Sequence, residues 1–217
     1  RSAICESYNG TAWTEVNNLQ QVRVSGAGFG TATAATMCNG NGSPGSPIAD
    51  CESWNGTSWS EINNTPVRMA ANGGSGTQTA GLSGGGQTND IARGTFVEVY
   101  AFDGTNWTET GDLNTPRNAL MGSGISATNA LAYGGLPPPT GTAVTEFWDG
   151  STWTETQRLV GNTSATSYFG KNVSMHGEYL AVSAPHMTTA TGIVYIYKNL
   201  GGTWTFQTSV QASDAST

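Results

Sequence analysis

The chain predicts an all-β repeat architecture, and three observations carry that expectation. A short phrase built on Gly and ending in Trp occurs five times, its flanks alternate apolar and polar residues with period two, and no stretch sustains the 3.6-residue apolar spacing of a helix. The phrase reads Asn9-Gly10-Thr11-Ala12-Trp13, Asn55-Gly56-Thr57-Ser58-Trp59, Asp103-Gly104-Thr105-Asn106-Trp107, Asp149-Gly150-Ser151-Thr152-Trp153 and, more loosely, Leu200-Gly201-Gly202-Thr203-Trp204. Successive Trp residues stand 46, 48, 46 and 51 positions apart, and a near-constant period of that length marks a repeat.

Asn-Gly and Asp-Gly supply the positive φ angles of a tight hairpin, so each phrase is expected to join two antiparallel strands. An aromatic precedes the Trp by five places in four copies (Tyr8, Trp54, Phe102, Trp148), and Tyr197 takes that place in the fifth if its turn is two residues longer. Downstream, Thr or Ser and then Glu continue the strand grammar in Thr14-Glu15, Ser60-Glu61, Thr108-Glu109 and Thr154-Glu155. Within residues 13–54 we expect an inner strand near Val22–Gly28, a second near Thr31–Cys38, a Gly/Ser/Pro loop over 39–49 and a third strand near Cys51–Trp54. Residues 59–102 repeat this with a loop at Gly84–Gly94, and residues 107–148 with a loop at Leu136–Thr142. Two further markers recur. An Arg follows the Trp by ten, nine and ten residues (Arg23, Arg68, Arg117), and a glycine pair closes an apolar run in Leu82-Ser83-Gly84-Gly85 and Leu131-Ala132-Tyr133-Gly134-Gly135, with Met37-Cys38-Asn39-Gly40 as a degenerate copy.

The order Arg, apolar run, Gly-Gly, aromatic strand, turn, Trp resembles the kelch repeat, which implies a four-stranded antiparallel sheet forming one blade of a β-propeller. From about Val160 the grammar changes. Tyr168-Phe169-Gly170-Lys171-Asn172-Val173-Ser174, Glu178-Tyr179-Leu180-Ala181-Val182-Ser183-Ala184-Pro185 and Gly192-Ile193-Val194-Tyr195-Ile196-Tyr197 together resemble an FG-GAP repeat, the blade unit of integrin-type propellers. The calcium loop of that family is an Asp-rich turn with no counterpart here, so the blade is carried over and the metal is not. The resemblances divide the chain into kelch-like blades over residues 1–159, then an FG-GAP-like blade and the start of a following one over 160–217. These form one propeller-type domain of about four to five blades, either whole or part of a larger propeller. Both ends fall inside a repeat, which fits a segment of a longer protein or a strand from one end completing a blade begun at the other.

Composition bounds the partners. The chain has 217 residues, net charge −7, 30 Gly and only 11% charged residues, with no basic patch for nucleic acid and no polybasic arm or long apolar run for a membrane. Neither nucleic acid nor membrane insertion is expected. Cys38 and Cys51 flank one loop and are sterically suited to a disulfide, which would leave Cys5 unpaired, while reduced cysteines are the other reading. Seven Asn-X-Ser/Thr sequons occur, at Asn9, Asn41, Asn55, Asn63, Asn106, Asn162 and Asn172.

Candidate chemistry does not converge. Trp13, Trp59, Trp107, Trp153 and Trp204 are fixed to one turn and are expected to pack blade against blade, with a sugar-stacking row as the rival reading. Glu15, Glu61, Glu109 and Glu155 recur in different repeats and read as a solvated strand face, not as a glycosidase pair. Asp103-Gly104 and Asp149-Gly150 are one residue short of the sialidase Asp-box, and His176 and His186 lack metal-ligand spacing. No catalytic residue, metal or cofactor is expected. The loops vary while their frame does not, and variable loops on a fixed scaffold are where recognition usually resides. The ligand-facing candidates are Asn41, Ser43, Gln87, Asn89, Asp90, Thr140, His186 and Thr188. The expected setting is a virion or an extracellular surface, as a phage tail-fibre or tail-appendage propeller or as a bacterial adhesin or filament component. The expected partners are a cell-surface glycan or other virion or surface subunits, a further copy of the chain included.

Overall fold

The computed structural model describes residues 1–88, 96–118, 121–135, 144–159, 169, 173–184 and 192–211. Its described elements are all strands. A two-stranded hairpin, β1 (Cys5–Tyr8) with β2 (Trp13–Val16), leads into four antiparallel four-stranded sheets arranged as blades of a β-propeller. Blade one runs β3 (Ala27–Thr31), β4 (Ala34–Cys38), β5 (Cys51–Trp54), β6 (Trp59–Ile62). Blade two runs β7 (Gly73–Thr77), β8 (Ala80–Gly84), β9 (Val99–Phe102), β10 (Trp107–Glu109). Blade three comprises β11 (Met121–Ser126), β12 (Asn129–Tyr133), β13 (Val144–Trp148) and β14 (Trp153–Arg158), and blade four β15 (Val173–His176), β16 (Tyr179–Ala184), β17 (Ile193–Leu200) and β18 (Thr203–Gln211). Each sheet pairs its strands in chain order, innermost first.

The first strands of blades one to three lie at the crowded centre and carry glycines or Ala where they meet. A Cβ on Gly122 of β11 would fall 2.8 Å from the Gly74 carbonyl oxygen of β7, and one on Gly74 would fall 2.9 Å from Ala27 of β3, so neighbouring inner strands approach almost backbone to backbone. This places the inner strand of blade one at Ala27–Thr31, starting five residues and ending three residues later than the expected Val22–Gly28. Val24 belongs instead to the connector, where its amide and carbonyl pair with Asn41 at 3.2 and 2.8 Å.

Each phrase forms the hairpin between the third and fourth strands, with Trp54 opposite Trp59, Phe102 opposite Trp107 and Trp148 opposite Trp153. Gly10, Gly56, Gly104 and Gly150 carry the positive φ (98, 90, 96 and 97°). The Asn or Asp before each Gly does a different job, because its side-chain oxygen accepts two backbone amides at 2.7–2.9 Å in all four copies. Those bonds hold the Asp103 and Asp149 carboxyls below the ordinary aspartate value of 3.8. A depressed carboxyl contributes stability above its unfolded pKa and loses it as pH falls through the lower folded value. Acid unfolding followed by circular dichroism is therefore expected to flatten in the pH range below 3.8 when both residues become Asn, as Asn9 and Asn55 already are. An unchanged acid limb would remove the two turns as its source.

The fifth phrase departs from this pattern. Leu200 pairs with Thr203 across a two-residue turn at Gly201-Gly202, so Asn199 faces Trp204 and Tyr197 faces Phe206, not the Trp.

Three apolar clusters occupy the junctions between blades. The first combines Phe29, Cys38, Cys51 and Met69 with Phe96, Tyr100, Phe102 and Trp107. The second includes Leu82, Val99, Leu113, Trp148 and Trp153, and the third Leu131, Tyr133, Leu159, Leu180, Val182, Tyr195, Tyr197 and Trp204. Trp107 of blade two meets Phe29 of blade one edge to face at 6.4 Å and donates its indole N–H to Asn63 O at 3.0 Å. Trp107, Trp153 and Trp204 are buried, Trp59 is half-buried, and Trp13 is 66% exposed.

Candidate interaction surface

The antiparallel order brings three groups to one end of the described blades: the start of the first strand, the loop joining the second strand to the third, and the connector that leaves the fourth. The Trp hairpins turn at the opposite end. The second-to-third loops are pinned at their roots by a shared backbone device. Asn39-Gly40, Gly85-Gly86 and Gly134-Gly135 adopt successive φ values of 61 and 95°, 62 and 97°, and 64 and 93°. The second glycine of each pair has no room for a side chain: a Cβ would lie 2.8, 2.6 and 2.8 Å from the carbonyl oxygens of Val24, Ala70 and Asn118. From there Gly40 N donates to Met69 O and Gly86 N to Arg117 O, both at 2.8 Å, so a loop of one blade is sewn to the connector of the next.

Beneath these pins lies a buried ion pair. Arg23, on the connector into blade one, donates to Glu52 of β5 at 2.6 Å and to the carbonyls of Asn39 and Asp50 at 3.0 and 2.7 Å. Glu52 also accepts the amides of Gln20 and Gln21 at 2.7 and 3.2 Å. Blade three repeats the set. Arg117 pairs with Glu146 and donates to Gly134 O and Val144 O, while Glu146 accepts the amides of Asn114 and Thr115. Burial pushes the Arg117 guanidinium below its ordinary value, and the adjacent Glu146 carboxylate pulls it back up.

Blade two lacks this set. Arg68 does not occupy the Arg position; it is exposed, and Met69, wholly buried, stands four residues before β7 where Arg23 and Arg117 stand before β3 and β11. The spacing of nine after Trp59, against ten elsewhere, carried that difference. The third-strand position held by Glu52 and Glu146 is Tyr100, whose hydroxyl is pushed further up by burial and by the Glu109, Glu98 and Asp112 carboxylates. Pro66, which has no amide N–H, replaces Gln20 and Asn114. Three positions have changed together, each removing one part of the charged set. Blade four places aromatics there, with Phe169 edge to face against Tyr195 and Tyr197 at 5.4 and 6.4 Å.

Of the ligand-facing candidates, the structure brings Asn41, Ser43 and Gln87 to the loop end. Asn41 and Gln87 are pinned through their main chains, to Val24 and Ala70 respectively, and Ser43 and Gln87 are exposed. Asn89, Asp90, Thr140, His186 and Thr188 lie outside the described residues. Cys38 and Cys51, directly opposite on β4 and β5, form a disulfide closing the loop between them, and Cys5 is free. Glu15, Glu61, Glu109 and Glu155 are exposed, one on each of β2, β6, β10 and β14. Sequence reasoning missed Glu52, Glu146 and Tyr100; the signal for all three is their place seven residues before the Trp.

A family model for the FG-GAP repeat matches residues 153–197. The matched segment begins with β14, the outer strand of blade three, and ends in β17, the third strand of blade four, so this FG-GAP unit straddles two blades. Such repeats are typical of extracellular or surface proteins and of propellers that are not catalysts. No curated protein matches the chain. No helix of the described residues is long and apolar enough to cross a membrane, and no cluster of three or more metal-ligating side chains forms among them.

Proposed function

We propose that this protein is a non-enzymatic recognition module of a virion or extracellular surface that binds neutral glycans at the loop end of its blades. The observation that carries the reading is the contrast between loop roots of one backbone conformation and loop bodies of differing sequence. Asn39-Gly40 and Gly85-Gly86 adopt the same backbone conformation, yet the segments they launch differ in length and sequence. Polar groups such as Asn41, Ser43 and Gln87 then present hydrogen-bond donors and acceptors with little charge, which suits sugar hydroxyls and gives weak affinity per site that multiple copies raise by avidity. The kelch-like order of the first three units and the low charge favour a phage tail-fibre or tail-appendage setting. The FG-GAP match favours a bacterial surface adhesin or filament component as the second reading.

The test is glycan-array and host-cell binding by a multimeric probe, comparing the native chain with the triple variant Asn41→Ala, Ser43→Ala, Gln87→Ala. These changes leave the Val24–Asn41, Met69–Gly40 and Ala70–Gln87 main-chain pins in place. Apparent affinity is expected to fall by about tenfold or more, ~1.4 kcal/mol. Unchanged binding, or no surface ligand for the native probe, would make the chain a structural spacer.

A further inference from the structure

The loop between β4 and β5 is a small hairpin in its own right. Asn41 and Pro47 face each other across it, Gly42 N donates to Ser46 O at 3.0 Å, and Ile48 N donates to Gly40 O at 2.9 Å, so the loop rises as a tongue with Ser43, Pro44, Gly45 and Ser46 exposed at its tip. Its base is tied on several sides. Asn39 N donates to Asp50 O at 3.0 Å, the Asn39 side-chain amide donates to Ile48 O at 3.3 Å, and Thr65 N, on the connector into blade two, donates to Ala49 O at 3.1 Å. Below these bonds the Cys38–Cys51 disulfide closes the base covalently. The corresponding pairs in the next two blades are Gly84 opposite Val99 and Tyr133 opposite Thr145, which carry no such link. Cys38 and Cys51 are 0 and 1% exposed and share a cluster with Tyr100, Phe102 and Trp107 of blade two.

We propose that this tongue is the primary contact for the glycan, that the Cys38–Cys51 disulfide is its positioning device, and that oxidation during folding fixes the affinity of the finished module. The proposal rests on the reading of the loop end as a glycan site. A loop held in its bound conformation before the ligand arrives loses less conformational freedom on binding, and that saving appears as affinity. Without the link the base of the tongue gains freedom that binding must then remove. Forming the link takes two protons and two electrons from the thiols: one thiolate attacks an external disulfide, small or protein-borne, and its partner then displaces the mixed disulfide, so that the oxidant leaves as two thiols. Once blade two has docked, neither oxidant nor reductant reaches the buried sulfurs, so the exchange belongs to the unfolded or part-folded chain. The link is therefore a setting made once and not a switch.

The test uses a Cys5→Ser background, which leaves this pair as the only cysteines. The chain is folded once with oxidised glutathione and once under reductant, so that the two samples differ in a single bond, and circular dichroism confirms each fold. In hydrogen exchange the Gly42 and Ile48 amides should exchange faster in the reduced sample, while the Gln87 amide on the blade-two loop stays unchanged. Presented as a multimeric probe, the reduced sample should bind glycan about tenfold more weakly. Oxidised glutathione added after folding should leave its thiols unreacted until denaturant unfolds the chain. If the reduced chain does not fold, Cys38→Gly with Cys51→Val, the residues of the corresponding pair in blade two, takes its place in the exchange and binding measurements. Equal binding by the linked and unlinked forms overturns the proposal and leaves the glycan reading standing. A linked form with no glycan ligand overturns both. Ready oxidation of the folded, reduced chain overturns the proposal that the bond is set during folding.

Discussion

Glu146→Gln is expected to destabilise the protein by about 3–5 kcal/mol, the scale at which one partner of a buried ion pair is lost and the other stays charged. Arg117 is fully buried and its remaining acceptors are neutral carbonyls, so the guanidinium would keep its charge without a carboxylate. The substitution also weakens the acceptor that holds the Asn114 and Thr115 amides and so loosens the connector into blade three. The chain itself supplies the control. Blade two fills the same space with Pro66, Met69 and Tyr100, and exchanging a buried ion pair for a packed apolar set is often neutral or stabilising. The triple replacement Asn114→Pro, Arg117→Met, Glu146→Tyr is therefore expected to lose less than half of what Glu146→Gln loses, measured by denaturant unfolding. A triple variant as unstable as the single one would show that blade three depends on the charge pair and not on filling the space.

The second large effect concerns the junctions. Trp107→Ala should cost about 3–5 kcal/mol, as a large-to-small change in a packed core. The ring is 9% exposed, meets Phe29 and Phe102 at 6.4 and 4.9 Å, and hydrogen-bonds to Asn63 O. Trp13→Ala removes the same side chain from the same turn, yet at chain concentrations where the protein is monomeric it should change stability by no more than about 0.5 kcal/mol, the range of surface substitutions. Paired thermal melts decide it. Equal shifts for the two variants would mean that the Trp acts through its own hairpin, where both residues contact a cross-strand aromatic, and not through the neighbouring blade.

The parts of this fold that are written locally were legible in the sequence. A hairpin closed by Asn-Gly or Asp-Gly with an aromatic on each side needs nothing from the rest of the chain, and the five sheets match the five Gly-Trp phrases one for one. The buried ion pairs were not legible, because Arg23 and Glu52 lie 29 residues apart and only two of the four blades have such a pair. Arg68 shows how matching by residue type misleads: it is the nearest Arg, but the inward position is fixed by distance from the Trp, and that position holds Met69. The early placement of the first inner strand has a related cause. Val22 and Val24 have strand propensity, but the inner strands meet at Ala27, Gly74 and Gly122, where a larger side chain would collide with the neighbouring strand, so close approach outweighed propensity there. For the candidate surface, Asn41 and Gln87 were placed at the correct end, while their main-chain pins arise from contacts with connectors that no local pattern announces.

The FG-GAP match begins at Trp153 and ends within β17, and Trp13, Trp59 and Trp107 open the outer strands of the preceding sheets in the same way, so a unit counted from one Trp to the next has its seam inside a Gly-Trp hairpin. A gene that gains or loses one whole period therefore rejoins two hairpin halves of nearly the same sequence, and strand register is restored by the turn itself. Blade number becomes a quantity that unequal recombination can change in single steps without redesigning any interface.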